Sequence, residues 1–293
     1  MSPSNYSDRI FSFELFPPKT ENGIQNMRST VTQLNRLAPA FFSVTYGAGG
    51  STQEGTFASV AWLSANGIET APHLSCIGSD RQEILEILER YRQQGIRHLV
   101  ALRGDLPSGL GLGGSGELNY ANELVSLIKS QYGEQFFIEV AAYPEFHPQA
   151  ASPEADLNNF KRKVEAGADG AITQYFYNAD AYFRFLEDCA KRHIEIPIVP
   201  GIMPIMNFSQ LARFSDNCGA EIPRWLRRRL QAFGDDLQSI RAYGVDVVSS
   251  LCEQLLSGGA PGLHFYTMNQ AKASLEIWRN LRLPDAQEGD SRR

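Results

Sequence analysis

The chain has 293 residues, 43% hydrophobic and 20% charged, an ordinary globular mixture with enough apolar material for a large core. Its formal net charge of −6 argues against non-specific nucleic-acid binding, which needs a basic face. No apolar run reaches the ~18 residues of a membrane span.

The first ten residues, MSPSNYSDRI, lack a basic segment followed by an apolar one, so no signal peptide is expected. Strand one is predicted over 10–16. Phe11, Phe13 and Leu15 alternate there with Ser12 and Glu14, the period of a strand. The alternation turns Ser12 and Glu14 to the opposite side from the apolar set, and two prolines end the run because each lacks a ladder donor. Further strands are predicted at 40–46 and 68–75. In the helix after them, Ser79 and Gln82 read as a capping box and Gly95 as the stop. Strand four is placed at 97–103. The stretch GLGLGGSG, 109–116, matches a dinucleotide fingerprint only in letters. RGDLPS separates it from its strand and no helix opens at once, so it reads as a loop over the strand ends. Strand five is placed at 136–143. A helix capped by Ser152, with Pro153 in its first turn and Gly167 at its end, follows. Strands six to eight are placed at 170–176, 197–202 and 262–267. Extra helices are expected over 203–261, where the basic run RWLRRRL, 224–230, reads as a solvated helix face. The termini, about 1–8 and 284–293, read as frayed.

Eight strands alternating with helices, with no internal linker, predict a single-domain α/β fold over 1–293, a (β/α)8 TIM barrel; a doubly wound open sheet is the rival. Barrel chemistry sits at the C-terminal strand ends. Those ends carry Glu14, Thr45, His73, Arg103, Asp105, Tyr143, Gln174 and Tyr266. Structural readings exist for several. Glu14 can pair with Lys19, His73 can be a hydrogen-bonded core histidine, and Arg103 can pair with Asp105. Gln174 and Tyr143 can be satisfied inner-layer residues. Together, however, so many polar groups would be costly to bury without a polar ligand. The five histidines have no metal spacing. Cys76, Cys189, Cys218 and Cys252 contain no CxxC pair, which fits a reducing cytoplasm.

Read in order, FSFELFPPKT, FFSVTYGAGGS, APHLSC, HLVALRGDLP, VAAYPEFHP, DLNNFKRKVEAGA, AITQYFY, GIMPIMNF and HFYTMN resemble the short bacterial form of the methylenetetrahydrofolate reductase family, from about residue 9 to 282. The resemblance implies a (β/α)8 barrel, non-covalent FAD, and NADH or NADPH as electron donor. It implies a homo-oligomer, tetramer or dimer, whose product feeds methionine synthesis. Glu14 matches the family's general acid and Asp105 the acid near flavin and pterin. Gln174 and Phe208 match substrate or nicotinamide contacts. The implied flavin set is Thr45, Tyr46, Ala48, His73, Arg103, Gly104, Asp105, Tyr120, Ala121, Tyr143, His147 and Ala150, then Asp156, Asn159, Arg162 and Lys163 on the helix after strand five. Tyr266 and Gln270 complete the substrate side. Some relatives have a basic residue where Gln270 stands, so a charge for the folate tail is missing there. The implied reaction runs as two half-reactions in one site, NAD(P)H first and folate second, with Glu14 protonating the opening ring. A flavin-free pterin methyltransferase barrel and a non-catalytic folate-binding protein are the alternatives.

Overall fold

The computed structural model describes residues 9–46, 50–104 and 117–285. All eight predicted strands are present. They are β1 Ile10–Leu15, β2 Phe41–Val44, β3 Thr70–Ser75, β4 His98–Leu102, β5 Phe137–Ala142 and β6 Gly170–Thr173. The seventh is split into β7 Ile198–Val199 and β8 Gly201–Ile202, and β9 Gly262–Tyr266 is last. Every neighbouring pair is parallel, in the order β7-β6-β5-β4-β3-β2-β1-β9-β8. The two ends of that order are the halves of one strand. Only Pro200 separates them, and with no N–H to give it interrupts the ladder. The ring therefore closes as a (β/α)8 barrel.

Helices follow the strands: α1 Glu21–Leu34, α2 Gly50–Ala65, α3 Arg81–Gln93, α4 Ala121–Tyr132, α5 Pro153–Glu165 and α6 Ala179–Ala190. The interval after β8 holds α7 Phe208–Cys218, α8 Arg224–Ala232 and α9 Leu237–Ser257, the extra helices expected there. Helix α10 Lys272–Asn280 comes last. Among the described residues no helix is long and apolar enough to cross a membrane.

Two cores result. The larger lies between strands and helices, where Phe11 and Phe13 face Trp278 of α10 at ring-centroid distances of 4.9 and 6.4 Å. The smaller fills the barrel interior with Phe41, Ala71, Val100 and Ile172. Strand alternation divides the two sets, so Ser12 and Glu14 turn inward as expected.

One cap is corrected. The box at the start of α3 uses Asp80 and Glu83, not Ser79 and Gln82. The Asp80 carboxylate accepts from the Glu83 amide at 2.8 Å, and Glu83 reaches back to the Asp80 amide at 3.1 Å. A carboxylate at the helix N-terminus also complements the dipole, which a serine does not. Ser152 caps α5 with Pro153 in the first turn, as expected. The residues 1–8, 47–49, 105–116 and 286–293, which include Ala48, Asp105 and the glycine stretch 109–116, lie outside the described residues.

Candidate active site

Parallel strands bring their C-terminal ends to one mouth. Glu14, near the end of β1, is in register with Ser43 of β2 and Tyr266 of β9. Its side chain is 19% exposed. One carboxylate oxygen, Oε2, lies 3.5 Å from His73 Nε2 and 3.7 Å from His264 Nε2. On its far side His264 Nδ1 shares a 2.7 Å hydrogen bond with Ser12 Oγ. Both Nε2 atoms are buried and have no hydrogen-bond partner among the described residues. Glu14 thus faces histidines from β3 and β9, and Lys19 is exposed rather than paired with it. Burial pushes the His73 imidazole below its ordinary value. That effect outweighs the opposing pull of the Glu14 carboxylate, so His73 is held neutral at physiological pH.

The importance of His264 was not read from the sequence. The available signal was parity: it lies two residues before Tyr266, so both point to the same side of β9. The same holds for Glu139 of β5, 3.2 Å from His98 Nε2 deeper in the barrel.

On the opposite wall Arg103 donates to Gln149 Oε1 at 2.5 Å and to the Gly104 carbonyl at 3.2 Å. Ser75 Oγ donates to the Arg103 carbonyl at 2.8 Å. Gly104 has φ +90°, and a Cβ there would collide with Ser75 Oγ, so the turn into RGD needs glycine. Tyr143 and His147 meet edge to face at 4.7 Å. The Asp156 carboxylate accepts from the His147 amide at 3.0 Å, and the Ala150 amide donates to the His147 carbonyl at 2.9 Å. Lys163 reaches back from α5 to the Ala141 carbonyl at 2.5 Å. Burial, only partly offset by Asp156, lowers its pKa to about 8. Asp156 and Lys163 thus approach the end of β5 together. Asn159 and Arg162 are exposed, 3.4 Å from each other.

Thr45 stands at the end of β2, its amide bonded to the Leu15 carbonyl. Tyr46 is half-buried and bonded to Gln53. Tyr120 and Ala121 open α4, with Tyr120 52% exposed. Gln174 follows β6 and accepts from the Tyr175 amide at 3.0 Å. Tyr266 donates to the Thr173 carbonyl at 2.7 Å. Phe208 opens α7, half-buried against the core. Gln270 is exposed after a turn in which Met268 and Asn269 both have positive φ. Asn269 makes that turn part of the rim by bonding both the amide and the carbonyl of Phe16. Among the described residues no group of three His, Cys, Asp or Glu side chains could hold a metal ion.

Fold and site define a parallel barrel whose mouth holds a carboxyl group between two imidazoles, with cations on the opposite wall. The sequence profile of the family "Methylenetetrahydrofolate reductase" matches residues 3–282. The chain is 41% identical over 271 residues to 5,10-methylenetetrahydrofolate reductase of Escherichia coli K12, covering 92% of this chain and 90% of that one. It is 39% identical over 297 residues to methylenetetrahydrofolate reductase (NADH) 1 of Arabidopsis thaliana, covering 97% of this chain and 50% of that one. A solved structure with TM-score 0.62 and 18% identity covers 97% of this chain and 96% of its own. It is an uncharacterized protein from Clostridium thermocellum that binds two copies of 5-methyl-5,6,7,8-tetrahydrofolic acid, and at that identity it supports the fold alone. The chain belongs to the methylenetetrahydrofolate reductase family.

Proposed function

We propose that this protein reduces 5,10-methylenetetrahydrofolate to 5-methyltetrahydrofolate, using FAD and either NADH or NADPH. The observation that carries the reading is Glu14, a carboxyl group at the barrel mouth with one oxygen facing two buried imidazole nitrogens. The donor set also suits a flavin dinucleotide. Lys163, Arg103 and Arg162 offer positive charge to a diphosphate, and His73 Nε2, without a hydrogen-bond partner among the described residues, can meet a polar ring atom. When bound, the flavin would carry the hydride, which no side chain can store.

The protein's own residues supply the proton and the placement. Glu14 gives a proton to N10 of the folate as the five-membered ring opens. Neutral His73, and His264 anchored by Ser12, limit the rotamers open to that carboxyl. Gln174 and Phe208 orient substrate or nicotinamide on the β6–α7 side. Asp105 acts as the second acid of the site. Ala48, Gly104, Tyr120, Ala121 and Ala150 would help to hold the flavin. The protein works in the cytoplasm as a homo-oligomer of two or four chains, and its product feeds methionine synthesis.

Glu14→Gln is expected to spare flavin reduction by NAD(P)H and to slow folate reduction by at least ~10², the low end for loss of a general acid. Stopped-flow measurement of each half-reaction separates the two. Equal loss in both would remove Glu14 from the acid role. A colourless preparation that takes up no FAD would favour a flavin-free barrel instead.

A further inference from the structure

The chemistry above leaves the lower half of the barrel interior unused, and that half is not wholly apolar. His98 opens β4 and Glu139 lies in the middle of β5, with His98 Nε2 3.2 Å from Glu139 Oε2. Their alignment does not make a hydrogen bond, and both atoms are buried with no hydrogen-bond partner among the described residues. Three more atoms on the inner face share that condition: His73 Nε2, His264 Nε2 and Ser43 Oγ. Ser43 is the residue beside Glu14 in the register of β1 with β2.

These groups form a row. Val100 lies between His73 and Glu139 in the registers of β3 with β4 and β4 with β5. The two polar residues therefore sit at one level of the barrel, two strands apart. With ~4.8 Å between neighbouring strands, inward side chains from such positions converge toward the axis. The Glu139 charge accordingly acts on the His73 imidazole. The Phe41 ring lies 4.3 Å from the His98 ring and 6.1 Å from the His264 ring. One aromatic side chain thus separates the deep pair from an imidazole that faces Glu14. At the lower end His98 reaches the surface. Its side chain is 20% exposed and meets the ring of Phe137, itself 42% exposed. Buried polar atoms without protein partners are where ordered water binds, each water taking about two to four of them. Packing gives no reason for the row, since a buried charge pair adds little net stability over apolar residues of the same volume.

Resting on the folate reading above, we infer that His98, Glu139 and water bound between Glu139, His73 and His264 form a proton path from the lower end of the barrel to Glu14. Each folate reduction takes up one proton. The O–H bond of Glu14 breaks as the N–H bond forms at N10, and the carboxylate left behind takes a proton from the adjoining water. That proton is replaced along the row, and His98 takes the last one from bulk water; no electrons move along the path. Flavin and folate would cover the mouth at that moment, so a path from below recharges Glu14 before product leaves.

The test mixes FAD-loaded, photoreduced protein with 5,10-methylenetetrahydrofolate in weakly buffered solution containing a pH-indicator dye. Stopped-flow follows flavin reoxidation and proton uptake together. In the unaltered protein uptake is expected to keep pace with reoxidation. In Glu139→Gln it should lag by roughly tenfold, less than the ~10² of losing the acid itself, because the vacated mouth remains as a slower route. His98→Ala should lag likewise, and imidazole added to the solution should restore the pace by filling the space left. A packing role predicts neither the lag nor the rescue. Uptake that lags in the unaltered protein, or keeps pace in Glu139→Gln, overturns the assignment, as does a lag in His98→Ala that imidazole leaves unchanged. Should His98→Ala fail to hold FAD, Glu139→Gln decides alone. If the folate leaves the reduced flavin unoxidised, the folate reading fails and the path fails with it.

Discussion

Lys163 carries an ammonium group into a place that disfavours it. With its pKa lowered to about 8 by burial, against ~10.4 in an unfolded chain, it binds fewer protons folded than unfolded between those values. Its contribution therefore opposes folding below about pH 8, and the penalty is released as pH rises toward the unfolded value. Ligand binding has the opposite dependence. A diphosphate beside Lys163 favours the charged form, so affinity falls as pH rises through about 8. The protein is expected to bind FAD more weakly at pH 9 than at pH 7, while riboflavin, which has no phosphate, shows a smaller change. Fluorescence titration of both ligands checks this, and Lys163→Met should make the two pH profiles alike. At this scale the sequence was partly legible. The helical spacing of Asp156, Asn159 and Lys163 predicts that all three share a face, and Asp156 and Lys163 do meet at the end of β5. Asn159 and Arg162 turn outward instead. The pairing of Glu14 with His73 and His264 depends on β1 being adjacent to both β2 and β9, a fact of barrel closure that no local pattern contains.

Among the elements, the seventh strand is the one whose sequence and structure differ most in detail. The run 197–202 predicts one strand, but Pro200 divides it, and the Gly201 amide is satisfied by Thr173 Oγ1 at 2.9 Å rather than by a carbonyl. A Cβ at Gly201 would collide with the Thr173 carbonyl and come within 2.6 Å of the Tyr266 ring. Gly201→Ala should lower stability by about 1–3 kcal/mol, the usual cost of overpacking, with urea unfolding as the measure. It should also weaken folate binding if Tyr266 is displaced. The α3 cap was misplaced by one residue for a simple reason. Ser79 and Asp80 are adjacent and both can cap, and the reciprocal partner Glu83 selects the second. The existence of each helix and strand was clearer than its ends, because periodicity is spread over many residues and a cap rests on one or two.

For the molecule as a whole, the outer core was the most legible part. Apolar alternation along each strand and periodicity along each helix point at the same interface, where Trp278 and the β1 phenylalanines meet. The barrel interior was less so, because its polar residues come from strands distant in sequence. His98 and Glu139 are the clearest case. Their side chains are 20% and 4% exposed and 3.2 Å apart, with the Phe41 and Phe137 rings against the imidazole. His98→Ala would leave Glu139 buried without its partner and should cost about 3–5 kcal/mol. His98→Leu/Glu139→Leu should recover most of that loss if the pair fills space rather than adding net stability. Chemical denaturation of the single and double variants forms the cycle that decides it.

The bond between Ser12 and His264 spans 252 positions of the chain, and β1 pairs with β9 over five residue pairs. During synthesis the first strand emerges long before the partner that completes it. At ~5–20 residues per second, roughly 13–50 s separate the two. Over that interval Phe11, Phe13 and Leu15 have β2 on one side but an open hydrogen-bonding edge on the other, a template for mispairing. Glu14 sits near the C-terminal end of that edge, where an inward-pointing acidic side chain disfavours stacking with another chain. The same carboxyl group proposed to deliver a proton in the finished barrel would then help keep the unfinished one from aggregating.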